Sequence, residues 1–144
     1  MIAIAVSRFN EEVTAQLLKS CQAALAAHGV PGPEAPAFHV PGGYELPWLV
    51  QELALSGRYE VVIALGCILK GDTAQNEHIA RSTIQQLHAV SLKTRVPVIL
   101  GVITPNTHAQ AVARTKGSLD RGKEAAMTAI DVMKLRIALK GSHG

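Results

Sequence analysis

Four short apolar runs, separated by longer stretches with helical spacing, constrain this chain more than any other feature. Residues 2–6, 61–69 and 96–103 are almost continuously apolar, and 35–40 is a shorter run bracketed by Pro31-Gly32-Pro33 and Pro41-Gly42-Gly43. Each is strand-sized and well short of the ~18 apolar residues that a membrane span needs. Continuous rather than alternating apolarity marks strands covered on both faces, as in a parallel sheet.

Between these runs, residues 10–28 place Val13, Leu17, Leu18, Cys21 and Leu25 at helical spacing, and Gly29 supplies a stop. Residues 45–55 carry Leu46, Leu49, Val50 and Leu53, with Pro47 tolerated in a first turn. Further helices are expected over 73–92, 106–114 and 122–139, and 141–144 reads as a frayed tail. Strand–helix alternation with right-handed crossovers gives a three-layer α/β domain. At 144 residues the expectation is a single domain over 1–144.

Composition narrows the function classes. With 48% hydrophobic and 17% charged residues the chain is too apolar to be disordered. Cys21 and Cys67 are too few for a disulfide framework and have no Cys-x-x-Cys partner, so reduced buried thiols are expected. No basic segment precedes the first strand, which argues against a signal peptide and for a cytoplasmic location. The net charge of +3 comes from dispersed Lys and Arg, without the continuous basic stripe or interleaved aromatics of nucleic-acid binders. Arg114, Lys116, Arg121 and Lys123 suit a small anionic substrate. Lys134, Arg136 and Lys140 suit the last turn of a helix. The six histidines lack metal-ligand spacing, and neither a Gly-x-Ser-x-Gly elbow nor a nucleotide-binding glycine loop occurs.

Ligands of open parallel sheets sit outside the carboxyl ends of the strands. That rule selects residues 7–10, 41–45, 67–73 and 104–106. Phe9 could stack on a planar ligand for about 1–3 kcal/mol, or staple onto the following helix. Gly42-Gly43 lets backbone approach a ligand closely. Glu45 could accept hydrogen bonds from ligand hydroxyls, or simply favour a helix dipole. Gly71-Asp72-Thr73 stands where a helix N-terminus could seat phosphate, although Asp72 brings negative charge and forms a capping-box pattern with Gln75. Arg114 could grip phosphate bidentately, or be a solvated surface residue. Residue chemistry alone stops at an α/β domain with a small phosphorylated ligand.

Taken together, Ser7-Arg8-Phe9-Asn10, residues 40–47 (Val-Pro-Gly-Gly-Tyr-Glu-Leu-Pro), 64–73 (Ala-Leu-Gly-Cys-Ile-Leu-Lys-Gly-Asp-Thr), Gly101-Val102-Ile103-Thr104 and the stretch 114–122 resemble the lumazine synthase family, in order along nearly the whole chain. The resemblance implies a flavodoxin-like four-stranded parallel sheet. It also implies condensation of 5-amino-6-(D-ribitylamino)uracil with 3,4-dihydroxy-2-butanone 4-phosphate, a transferase step of riboflavin biosynthesis that needs no cofactor and no metal. By this likeness Phe9 stacks on the pyrimidine ring, and Gly43, Tyr44 and Glu45 with Cys67, Ile68 and Leu69 hold the pyrimidine and ribityl chain. Asp72 and Thr73 meet the phosphorylated ketone. Leu100 and Arg114 come from a neighbouring subunit, Arg114 on the phosphate with Arg121 nearby.

The likeness further implies a pentamer-based homo-oligomer and riboflavin synthase as a partner, with no role for nucleic acid or membrane. Four departures stand out. Gln75 occupies the place of the family's proton-shuttling histidine, Asn76 replaces the usual aromatic, and 114–122 is about one residue short. A family strand that extends a neighbour's sheet has no counterpart before residue 2. An amide orients groups but does not exchange protons near neutral pH, so a slowed enzyme is expected, with His78 one turn along either a substitute through a water or simply a surface histidine. The rival expectations are a non-catalytic lumazine- or flavin-binding paralogue that keeps the pocket, and a drifted enzyme using another phosphorylated ketone or ring amine.

Overall fold

The computed structural model describes residues 1–71 and 73–141. Strand β1 (Ile2–Ser7) leads into helix α1 (Glu11–Ala27), β2 (Ala37–Val40), α2 (Leu46–Leu55), β3 (Val61–Cys67), α3 (Ala74–Thr94), β4 (Val98–Ile103), the short α4 (His108–Ala113) and α5 (Arg121–Gly141). Single 3₁₀ turns lie at Gly32–Glu34, Gly43–Glu45 and Gly117–Leu119. All pairings are parallel and the strand order is β2-β1-β3-β4. That is the flavodoxin-like order, a three-layer α/β arrangement whose ligand crevice lies where the order reverses, between β1 and β3.

Side chains alternate across the sheet with period two, and the two halves of β1 show it. Ile2, Ile4 and Val6 pack with Val13, Leu17, Cys21 and Leu25 of α1 and with Ala125, Ala126, Ala129 and Ile130 of α5. Ala3 and Ala5 face the other way, toward Leu46, Val50 and Leu53 of α2 and Ala80, Leu87 and Val90 of α3. Each large aliphatic side chain buried this way contributes about 1.5–3 kcal/mol relative to exposure. Gly122 allows α5 to approach α1, since a Cβ there would overlap the Leu17 carbonyl oxygen.

The strands begin and end inside the expected runs. Pro36 and Pro97 lack the N–H a ladder needs, so β2 and β4 start after them, although both proline carbonyls accept sheet-like bonds, from Ile4 and Val62. β3 stops at Cys67, leaving Ile68 and Leu69 to form the wall described below. Helix α3 runs two residues further than expected and closes on Arg95 at φ 64°, a left-handed cap without the usual glycine. The capping pattern also differs from expectation. Thr73, not Asp72, is the N-cap of α3, its hydroxyl accepting from the Asn76 N–H at 3.1 Å, and Asp72 itself lies outside the described residues. Arg136 and Lys140 do more than decorate a helix end, because both pair with Glu60, at 2.7 and 3.1 Å.

Candidate active site

Beyond the carboxyl ends of the strands lies a cleft of about 390 Å³, lined by Phe9, Asn10, residues 42–45, residues 67–69, Gln75, Asn76 and Ile79. Three chain exits build it. After β1 the backbone turns through Asn10 in the left-handed region, φ 61°, which asparagine tolerates better than most residues. The Asn10 Nδ2 then donates to the Cys67 carbonyl at 3.0 Å, tying the β1 exit to the β3 exit. Phe9 is left 69% exposed at the rim, so it is not stapled onto α1.

The second wall is the 42–45 turn after β2. The Gly42 N–H donates to Glu45 Oε1 at 2.9 Å, so one carboxylate oxygen serves the turn while the residue still lines the cleft. A side chain at Gly42 would strike the Phe9 ring, and one at Gly43 would strike Ile68. Both glycines therefore let a neighbouring side chain lie close against the turn, as well as giving backbone access. The Gly43 carbonyl accepts from Thr83 Oγ1 of α3 at 3.3 Å.

The third wall combines 67–69 with the first turns of α3. Asn76 Nδ2 donates to the Leu69 carbonyl at 3.0 Å. Burial, reinforced by the charge of Glu12 and opposed by Arg114, pushes the Cys67 thiol up to about 11, so it is a neutral wall group at physiological pH. Its dependence on Glu12 and Arg114 places both charges on the α1/α4 side of the β3 exit. Glu12 also lies 3.6 Å from His108 Nδ1.

Of the residues expected from sequence, Phe9, Gly43, Tyr44, Glu45, Cys67, Ile68, Leu69 and Gln75 all line this one cleft. Thr73 caps α3 instead, and His78 is exposed without lining the cleft. Leu100 is 54% exposed on β4, one of the sheet's two edge strands, where it borders a separate groove with Ile84, Leu87, His88 and Val98. Arg114 is the C-cap of α4, and Arg121 pairs with Glu124 at 2.6 Å. Of the other lining residues, Gly42 was singled out in sequence for close backbone approach, Asn10 and Asn76 were noted without a site role, and Ile79 was passed over. The spacing of Asn76, Ile79 and Thr83, three and then four residues apart, was the signal available for that face of α3. Among the described residues no group of three His, Cys, Asp or Glu side chains gathers as a metal site.

The sequence matches the family model for 6,7-dimethyl-8-ribityllumazine synthase over residues 1–136. The chain belongs to the lumazine synthase family. It is 44% identical over 134 residues to 6,7-dimethyl-8-ribityllumazine synthase 1 of Caulobacter vibrioides, covering 92% of this chain and 88% of that protein. It is 36% identical over 137 residues to 6,7-dimethyl-8-ribityllumazine synthase of Gloeobacter violaceus, covering 92% and 76%. The lumazine synthase match thus spans every strand, all three walls of the cleft and most of α5. No helix among the described residues is long and apolar enough to cross a membrane.

Proposed function

We propose that this protein condenses 5-amino-6-(D-ribitylamino)uracil with 3,4-dihydroxy-2-butanone 4-phosphate to 6,7-dimethyl-8-ribityllumazine, releasing phosphate, in riboflavin biosynthesis. The observation that carries it is the convergence of an exposed phenyl ring, Phe9, with the backbone of 42–45 and 67–69 in one cleft. The ring receives the pyrimidine by stacking, and the two backbone segments and Glu45 hold its polar edge and the ribityl chain. The 5-amino group attacks the ketone to form an imine with loss of water. Phosphate leaves, and the ring closes with a second dehydration.

Arg114 of a neighbouring copy steadies the departing phosphate, with Arg121 nearby and Asp72 and Thr73 at the start of α3. Leu100 of that neighbour closes the cleft. Two features support a shared site: Leu100 stands exposed on an edge strand, and neither it nor Arg114 lines the cleft of its own chain. The assembly is a homo-oligomer based on pentamers, acting in the cytoplasm as a single domain over 1–144, without cofactor or metal, and delivering its product to riboflavin synthase.

Gln75 makes the enzyme slow rather than inert. Acid–base assistance is typically worth about 10²–10⁴-fold. Holding two reactants in register supplies about 7–11 kcal/mol, which the cleft retains. The test is the condensation rate of purified protein, then of Gln75→His and His78→Ala. Turnover above the uncatalysed reaction, rising in Gln75→His, supports the proposal, whereas no turnover at all overturns it. Tight lumazine binding without turnover would identify a binding paralogue instead. A drop in His78→Ala would assign that histidine the proton transfer through water, and no drop would remove it.

A further inference from the structure

We propose that Asn76 and Thr83 of α3 are positioning residues that hold the two backbone walls of the cleft at a fixed separation. The inference rests on the reaction proposed above, because it concerns how the pyrimidine site is kept in shape. Both side chains reach away from their own helix to a carbonyl of a cleft wall. Asn76 Nδ2 donates to Leu69 on the β3 exit at 3.0 Å, and Thr83 Oγ1 donates to Gly43 on the β2 exit at 3.3 Å. Asn76, Ile79 and Thr83 share one face of α3, and Ile79 lines the cleft between them. The helix is therefore a strut carrying one tie to each wall.

The Thr83 tie also reinforces an orientation. In a planar trans peptide the carbonyl and the next N–H point in opposite directions. Holding the Gly43 carbonyl toward α3 turns the Tyr44 N–H away from the helix, and the wall presents one arrangement to a ligand. The Gly43 carbonyl already accepts from the Leu46 N–H within the turn, so the Thr83 hydroxyl, on a residue only 2% exposed, is its second donor and the one that links the wall to α3. At 3.3 Å this bond is long for an O–H···O pair, so Asn76 is the stronger tie. An ordered wall reduces the ordering cost paid on binding, so the ties act on affinity for the ring. Neither side chain contacts the reacting atoms by this account.

The experiment compares the parent with Asn76→Leu, Thr83→Val and Thr83→Ser. It uses steady-state condensation kinetics and amide hydrogen exchange of residues 42–45 and 67–70. KM for the ribitylaminouracil should rise about tenfold in Asn76→Leu and about threefold in Thr83→Val, with kcat and the KM of the ketone phosphate changed by less than about twofold. Exchange should quicken at Tyr44 and Glu45 in Thr83→Val and return toward the parent in Thr83→Ser. Unchanged KM and exchange in folded variants would overturn the proposal, and so would a loss confined to kcat. If either variant fails to fold, Asn76→Ser and Thr83→Ala carry the same comparison. A parent that neither binds the ring nor turns over refutes the reaction, while the exchange data still decide whether the ties hold the walls.

Discussion

The Phe9–Gly42 contact offers a perturbation that separates ring binding from folding. Gly42 has φ −135° and ψ 173°, an extended conformation open to any residue, so Gly42→Ala introduces no backbone strain. The added methyl would stand 2.8 Å from Phe9 Cδ2 and 3.2 Å from Cε2, against about 3.5–4.0 Å for relaxed carbon contacts. The ring must therefore retreat by about 1 Å. It can do so cheaply, because it is 69% exposed and nothing buried has to follow it. Glu45 Oε1, 3.3 Å from the new methyl, must also give slightly. Lower unfolded-state entropy returns about 0.4–1 kcal/mol, so net stability should stay within about 1 kcal/mol of the parent. Ligand binding should not be spared. A stacked ring is worth about 1–3 kcal/mol, and losing half of it weakens binding about three- to tenfold. Fluorescence titration with 6,7-dimethyl-8-ribityllumazine reads the affinity and urea unfolding reads the stability, with Phe9→Ala as the ceiling. Unchanged affinity in both variants would refute the stacking role. A stability loss beyond about 2 kcal/mol in Gly42→Ala would show that the ring is part of the fold rather than of the site.

Gly122→Ala should behave in the opposite way. Its Cβ would overlap the Leu17 carbonyl oxygen, with Leu17 C and Cα at 3.0 and 3.1 Å, and backbone cannot swing aside, so urea unfolding should show a loss of about 2–4 kcal/mol despite the helix-propensity gain. Cys67, with its thiol pushed up to about 11 from 9.0, should hold about 100-fold less thiolate than an ordinary cysteine, and alkylation by iodoacetamide, followed by mass spectrometry, should stay slow until the pH passes about 10. The Glu60 carboxyl is held below its usual range by the hydrogen bond from Lys140 and the charges of Lys140, Arg136 and the N-terminus, outweighing partial burial. Its stabilisation is therefore present above the unfolded pKa of about 4.3 and lost as pH falls through the lower folded value. Glu60→Gln should cost about 0.5–1 kcal/mol at neutral pH, and thermal melts should show that difference vanishing in acid.

The sheet was legible because both its faces are covered, which leaves β1 and β3 uninterrupted as apolar runs. The ends of those runs misled for a physical reason. Apolar Ile68 and Leu69 read as more strand, yet they leave the ladder to become a cleft wall, and Pro36 and Pro97 end the pattern by lacking an N–H rather than by being polar. Phe9, the glycine turn and Glu45 could be selected by the rule that ligands gather at strand carboxyl ends. Asn76 could not, and the role of Asn10, although it lies in a selected loop, was not legible either. Their contribution is a hydrogen bond to a carbonyl across the cleft, to Cys67 from 57 positions away in one case, and no local spacing encodes such a partner. His78 was selected by its one-turn offset from Gln75, but the lining turns of α3 are those of Gln75, Asn76 and Ile79, so it stands outside the cleft and could act only through water.

The two amides at the start of α3 bear on how the proposed reaction would proceed. Asn76 spends its donor on Leu69, and Gln75 can donate and accept but not titrate near neutral pH. Cys67 stays protonated, and one oxygen of Glu45 is held by the Gly42 N–H. The side chains that line the cleft are thus suited to fixing positions and poorly suited to moving protons. In the proposed reaction, imine formation and dehydration then draw their protons from water, from the phosphate of the substrate, or through water from His78 if the alanine variant assigns it that role. In the proposed reaction the contribution of this chain is geometric: a ring laid on Phe9, its edge against two tethered segments of backbone, and the ketone phosphate held beside it by Arg114 of the neighbouring copy. Catalysis of that kind tolerates the loss of a proton shuttle, and slackening of the walls is felt instead as weaker binding of the ring.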